Sequence, residues 1–172
     1  MFYLIRHGEA DYDLAGQKIY QGFGIDLCPL SKKGIEQIEE AANDERLKDA
    51  DLILSSPYTR ALQTAAILSR KLNVPIIVET DLHEWVANKD YVYEDDETAE
   101  EAFLEYQSNH GHYPKGETRK WESSDHIKER VDNVLKKYTS YKKVIIACHG
   151  MTMQALTDIR HPDNGQIVEY KL

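Results

Sequence analysis

Apolar residues in this chain cluster in short runs separated by longer amphipathic stretches. Residues 2–5 (FYLI) are strand-forming types and stop at Arg6-His7-Gly8, which predicts a buried strand. Residues 8–30 carry Gly16, Gly22, Gly24 and Pro29 with no steady period, the pattern of a loop. Ser31 then reads as a helix N-cap, with Ile35, Ile38 and Ala42 following at helical spacing. Residues 51–55 (DLILS) predict a second strand, and Ser56-Pro57 opens a helix whose apolar stripe is Ala61, Leu62, Ala65, Leu68 and Leu72. Residues 74–78 predict a third strand, and Pro75 assigns it to the sheet edge or to the strand's start. Ala99, Ala102, Phe103 and Tyr106 mark another helix, and Ile127, Val131, Val134, Leu135 and Tyr138 mark a long one. Residues 143–148 (KVIIAC) form a nearly continuous apolar run, as in a strand buried on both faces. A short helix follows His149-Gly150, and the alternation in residues 166–171 predicts an edge strand. Strands alternating with helices give an α/β layer structure with a largely parallel central sheet.

The 172 residues suit one domain, read as 1–172 with a cap-like segment near 85–122. No apolar run approaches the ~20 residues needed to span a bilayer, and Arg6 interrupts the short apolar start, so neither membrane nor secretory targeting is expected. Two cysteines, Cys28 and Cys148, fit a reduced, cytoplasmic setting, Cys148 as a small buried apolar residue. The net charge of −9 disfavours nucleic acid and other large polyanions. It leaves small anions open, because exposed charges beyond ~10 Å are largely screened at ordinary salt. The acidic stretch at residues 94–101 reads as helix-start charge complementing the dipole.

In open α/β sheets, ligands bind beyond the carboxyl ends of the strands. Three predicted strands end in suggestive chemistry: Arg6-His7-Gly8-Glu9, Ser55-Ser56-Pro57 with Arg60 one turn on, and His149-Gly150. A lone histidine or arginine at such a place is ordinarily structural or solvated. Recurrence of the same types at several strand ends is what carries weight. Arginine presents a planar fork of donors matched to phosphate oxygens. A neutral histidine beside it could attack phosphorus, and a second histidine, kept protonated, would hold the equatorial oxygens. A zinc site is the competing use of two histidines, disfavoured by the arginines beside them.

These residues resemble a known family. Leu4-Ile5-Arg6-His7-Gly8-Glu9 is similar to the signature of the histidine phosphatase superfamily, the phosphoglycerate-mutase-like proteins. Gly22 and residues 30–34 (LSKKG) resemble the loop and helix start that follow it. Residues 55–65 (SSPYTRALQTA) resemble the second motif, Leu82-His83-Glu84 the segment bearing the acid, residues 114–118 (PKGET) with Arg130-Val131 the stretch before the last strand, and Cys148-His149-Gly150 the final motif. The resemblance implies a three-layer α/β/α, phosphoglycerate-mutase-like fold and a metal-independent phosphatase without cofactor. It implies His7 as nucleophile, Arg6, Arg60 and His149 as phosphate ligands with Gly150 and Gly22 beside them, and Glu84 as proton donor. Apolar neighbours such as Trp85 and Val86 are expected to favour the protonated acid. Where the family often has an asparagine that touches phosphate, this chain has Asp13, whose carboxylate would repel a dianion. Either Asp13 points away, or the alignment shifts, or substrate handling differs. Residues 85–97 also lack the family's glycine-containing continuation.

The resemblance spans hydrolases and mutases. Mutases of this type carry inserted segments that close the site, for which 172 residues leave little room. The expected activity is therefore hydrolysis of a small phosphorylated metabolite through a phosphohistidine. The alternatives are a mutase-type phosphoryl transferase and a phosphate-binding module without turnover. The expected partner is a small-molecule phosphate ester, with no nucleic acid and no membrane.

Overall fold

A computed structural model describes residues 1–14 and 24–172. Its sheet contains β1 (Phe2–Arg6), β2 (Leu52–Ser55), β3 (Ile76–Val78), β4 (Val144–Cys148) and β5 (Ile167–Tyr170) in the order β3-β2-β4-β1-β5. Only β5 runs antiparallel to its neighbour. Five α-helices accompany the sheet among the described residues: α1 (Lys32–Ala41), α2 (Thr59–Leu72), α3 (Asp96–Ser108), α4 (Ser124–Lys136) and α5 (Gly150–Leu156).

Strand periodicity sorts the core into two halves. Phe2, Leu4, Leu52, Leu54, Val144, Ile146 and Cys148 face α4 and α5, where Ile127, Val131, Leu135 and Met153 meet them. Ile5, Ile53, Ile145 and Ala147 point the other way, onto Ile38 of α1 and Ala65 and Leu68 of α2. The result is the expected α/β/α arrangement. Every residue of β4 is buried, which accounts for its unbroken apolar sequence.

The expected elements recur with three adjustments. The helix after β2 begins at Thr59, because Ser56 is drawn into side-chain bonds with His149 and with the Tyr58 amide. The third strand is confined to Ile76–Val78 on the sheet edge. Pro75 lacks an N–H and contributes its carbonyl alone, accepting from Ile53 N at 2.9 Å. Tyr138 lies just past the end of α4 and donates to Glu79 at 2.6 Å. Ser31 caps α1 by accepting from Gly34 N. Asp95 caps α3 by accepting from Thr98 N, with Asp96 and Glu97 in its first turn, so the acidic stretch serves the helix start.

Residues between Glu84 and α4 form a layer built on aromatic packing. Tyr106 and Trp121 contact Met151 of α5, and Trp85, Ala102 and Tyr113 surround them. Both cysteines are buried and free.

The chain leaving β1 crosses the start of α1 at very close range. A Cβ on Gly34 would stand 2.1 Å from the Glu9 carbonyl oxygen, and one on Gly8 would stand 2.3 Å from the Gly34 carbonyl oxygen. Ser31 N donates to Glu9 O at 2.8 Å, and the Glu9 carboxylate accepts from Ser31 Oγ and Lys33. Backbone meets backbone here, so no flexible side chain can yield. Gly34→Ala should therefore lower the unfolding free energy by about 2–3 kcal/mol, measured by chemical denaturation. A change within about 0.5 kcal/mol would mean that the crossing relaxes freely.

Candidate active site

Parallel pairing brings the three suggestive strand ends together. Arg6 stands opposite Cys148, and Ser55 opposite Ala147. The ladder continues one residue further, His7 N donating to Cys148 O at 3.0 Å and Ser56 N to Ala147 O at 3.1 Å. His7, His149 and Ser56 therefore emerge side by side, with the two imidazole centroids 5.2 Å apart.

His7 is buried and its two ring nitrogens have separate duties. Nδ1 lies 2.7 Å from the Gly8 carbonyl, which can only accept, so Nδ1 carries the proton. Nε2 keeps its lone pair and accepts from Arg60 Nε at 3.2 Å. Burial, reinforced by the Arg60 and Arg6 charges, pushes the His7 pKa down to about 3. Arg60 is itself buried; its Nη1 donates to Ile25 O at 2.9 Å and its guanidinium lies 5.1 Å over the Tyr58 ring. Thr64 stitches the pair together, accepting from Gly8 N and donating to Arg60 O.

Arg6 donates through Nη1 to Pro162 O at 2.6 Å. Its guanidinium lies against Gly150, where an added Cβ would be 3.3 Å from Nε. His149 is fully buried, with Nε2 2.7 Å from Ser56 Oγ. Arg6 Nε and His149 Nδ1 are buried without a hydrogen-bond partner among the described residues. The Arg6 Nε donor beside His7 suits an incoming oxyanion, because a buried unmatched donor is costly until an acceptor arrives, and His149 Nδ1 joins it as a donor when Ser56 Oγ donates to Nε2.

The protonated second histidine expected from sequence is corrected. Burial first, then Arg60, His7 and Arg130, hold His149 well below the ordinary histidine range, so it stands neutral among the protein charges. The arginines supply the positive charge.

Glu84 also departs from expectation. Trp85 and Val86 adjoin it in sequence, yet its carboxyl faces donors rather than apolar surface. It accepts from Trp85 N at 2.9 Å and from Met151 N and Thr152 N, each at 3.2 Å. This ties Glu84 to the start of α5, immediately after His149. Its main-chain carbonyl accepts from Arg130 Nη2 at 3.4 Å, and Arg130 also reaches Asp81 O at 2.6 Å. Arg130 is paired through two bonds with buried Glu122, at 2.6 and 2.9 Å. Glu117, in the stretch matched by resemblance, instead pairs with Arg119 near the surface. Glu122 is the carboxylate that locks this region.

Arg6, His7, Arg60, Glu84, His149 and Gly150 thus share one location. Gly22 lies outside the described residues. Asp13 is exposed in a short turn, its amide accepted by Asp11, and its side chain takes part in no described bond. The sequence assigned no side-chain role to several residues that complete the site. Tyr58, within the motif at residues 55–65, meets His149 edge-on at 5.3 Å. Asp26 sits near Arg60, its carboxyl raised by burial. Asn164 donates to His7 O at 2.9 Å across 157 positions, a link for which the sequence carries no local signal.

Comparison with known proteins agrees with this geometry. The family model described as the histidine phosphatase superfamily (branch 1) matches residues 2–162. The uncharacterized phosphatase PhoE of Bacillus subtilis is 36% identical over 155 residues, spanning 89% of this chain and 73% of its own. A 2,3-bisphosphoglycerate-dependent phosphoglycerate mutase of Thermoplasma acidophilum is 36% identical over 81 residues, only 47% of this chain and 39% of its own. Among solved structures, the mycobacterial glucosyl-3-phosphoglycerate phosphatase superposes with a TM-score of 0.67 at 22% identity, covering 96% of this chain and 87% of that one, a likeness of fold. No described helix is long and apolar enough to cross a membrane. A family match along nearly the whole chain, falling on a site assembled in this way, establishes that the protein belongs to branch 1 of the histidine phosphatase superfamily.

Proposed function

We propose that the protein is a phosphomonoesterase that hydrolyses a small phosphate ester through a phosphohistidine at His7. The observation that carries this reading is the state of His7: buried, neutral, proton on Nδ1, lone pair on Nε2, with Arg60 beside it. The phosphoryl group enters against Arg6, Arg60 and the free His149 nitrogen. Each arginine contributes roughly 4 kcal/mol of attraction per charge pair at ~4 Å and an effective dielectric of about 20, before desolvation. Nε2 forms a bond to phosphorus as the ester P–O bond breaks, and Glu84 gives a proton to the leaving oxygen. Water then attacks the phosphohistidine, Glu84 takes its proton, and inorganic phosphate departs. The phosphatase relative spans most of the chain and the mutase relative about half, which supports hydrolysis over isomerisation.

The protein should release phosphate from 4-nitrophenyl phosphate equally well with and without a chelator. His7→Ala should lower kcat at least about 10³-fold. Base-stable, acid-labile radiolabel from a labelled phosphate ester should appear on the wild type and not on the variant. Turnover by His7→Ala within tenfold of wild type would remove His7 from the nucleophile role.

The pH dependence has a fixed sign. A histidine in the unfolded chain takes a proton near 6.5, whereas folded His7 does so only at about 3. Below 6.5 the unfolded state binds more protons, so His7's contribution to stability is full above that value and lost as pH falls toward 3. Thermal midpoints should accordingly fall between pH 7 and pH 4.5, and less steeply in His7→Ala. The rate profile should have no acid limb from the nucleophile near 6.5. A wild-type limb there, traced to His7 by NMR titration, would show that the ring titrates as it does in water.

A further inference from the structure

Tyr91 stands in the left-handed backbone region at φ 59°, a conformation costing a non-glycine residue on the order of 1–2 kcal/mol. A buried asparagine holds it there. Asn88 O accepts from Tyr91 N at 3.0 Å, Asn88 Oδ1 accepts from Asp90 N at 2.9 Å, and Asn88 Nδ2 donates to Glu94 at 2.6 Å. Tyr91 is 67% exposed, yet its hydroxyl lies 3.1 Å from Nε2 of His83, which is 4% exposed. The two rings meet edge-on with centroids 5.5 Å apart.

His83 passes this contact inward. Its Nδ1 lies 2.6 Å from the Glu84 main-chain carbonyl, an obligate acceptor, so Nδ1 bears the proton. Nε2 is then the acceptor and the Tyr91 hydroxyl its donor. The Glu84 carbonyl is thus gripped from two sides, by His83 and by Arg130 Nη2. The carboxyl of the same residue is gripped by the amides of Met151 and Thr152. Without the phenol, Nε2 loses its donor and the ring loses what fixes its rotation and tautomer.

We propose that Tyr91 is a positioning residue for proton transfer: through His83 it fixes the Glu84 backbone and sets the carboxyl against the leaving-group oxygen. This role rests on Glu84 as the acid. It also gives the 85–122 segment a direct hold on the catalytic step, from a strained tyrosine on the far side of a buried histidine.

Acid assistance matters most for poor leaving groups, so substrate choice separates positioning from folding. Tyr91→Phe keeps the ring and removes the hydroxyl. Its kcat/KM for an alkyl phosphate such as glycerol phosphate should fall about tenfold, since small misplacement of a reacting group is costly. Its kcat/KM for 4-nitrophenyl phosphate should stay within about twofold. Glu84→Gln should show the same selectivity more strongly, by about 10²-fold on the alkyl ester. In 15N NMR, wild-type His83 should be the Nδ1-protonated tautomer, with its Nε2 resonance displaced in Tyr91→Phe. Equal loss on both substrates would reduce the contact to fold support. No loss on either, with Glu84→Gln selective, would overturn the positioning role alone. A non-selective Glu84→Gln would overturn the acid assignment and this role with it.

Discussion

The contact between a buried neutral imidazole and a buried guanidinium, His7 Nε2 to Arg60 Nε at 3.2 Å, is the constraint on which the site turns. Burial removes water from both groups, and the neighbouring charge makes protonation of the histidine unfavourable. Through one placement the arginine donates to the Nε2 lone pair and disfavours its protonation, as the proposed nucleophile requires. His149 is subject to the same influences, so positive charge is concentrated in arginines, which cannot lose it by titration. Arg6 and Arg60 set positive charge beside His7 in a protein of net charge −9, whose exposed charges act weakly beyond ~10 Å at ordinary salt.

Holding such a contact requires a backbone that cannot drift. The parallel register sets His7 and His149 at matching heights on neighbouring strands. The Gly8–Gly34 crossing then clamps the loop after β1 onto the start of α1, and Glu9 adds bonds to Ser31 and Lys33. The motif at residues 30–34 therefore acts as the support of the first motif, with no contact to substrate needed to explain it. Asn164 and Pro162 complete the support from the other side, binding His7 O and the Arg6 guanidinium.

The proposed acid is held by a different set of forces. Glu84 is fixed by amides at the start of α5 and, through its carbonyl, by His83 and Arg130. Arg130, itself half-buried, pairs with buried Glu122, so removing the arginine would leave the Glu122 carboxylate buried without its partner. His7 and Glu84 consequently sit on separate supports that meet at His149 and α5. The aromatic layer of Tyr106, Trp121 and Trp85 packs on Met151 at that junction and joins the outer segment to α5.

Element types and the largely parallel sheet were legible in the sequence, since period-2 and period-3.6 burial are local properties, and strand-end chemistry pointed to Arg6, His7, Arg60 and His149, whereas Glu84 was named by the family resemblance alone. The fully apolar β4 and the proline-marked edge strand β3 were equally legible. Proton locations were not. Phosphate chemistry suggested a protonated His149, which burial beside Arg60 disfavours, and Trp85 and Val86 suggested an apolar niche for Glu84, whose carboxyl instead meets the amides at the start of α5. Partners distant along the chain, such as Asn164 with His7 or Arg130 with Glu84, were likewise invisible. Sequence determined which chemical groups the site could contain. The tertiary structure alone decided their charge and aim, because desolvation and hydrogen-bond geometry arise from neighbours that only folding brings together.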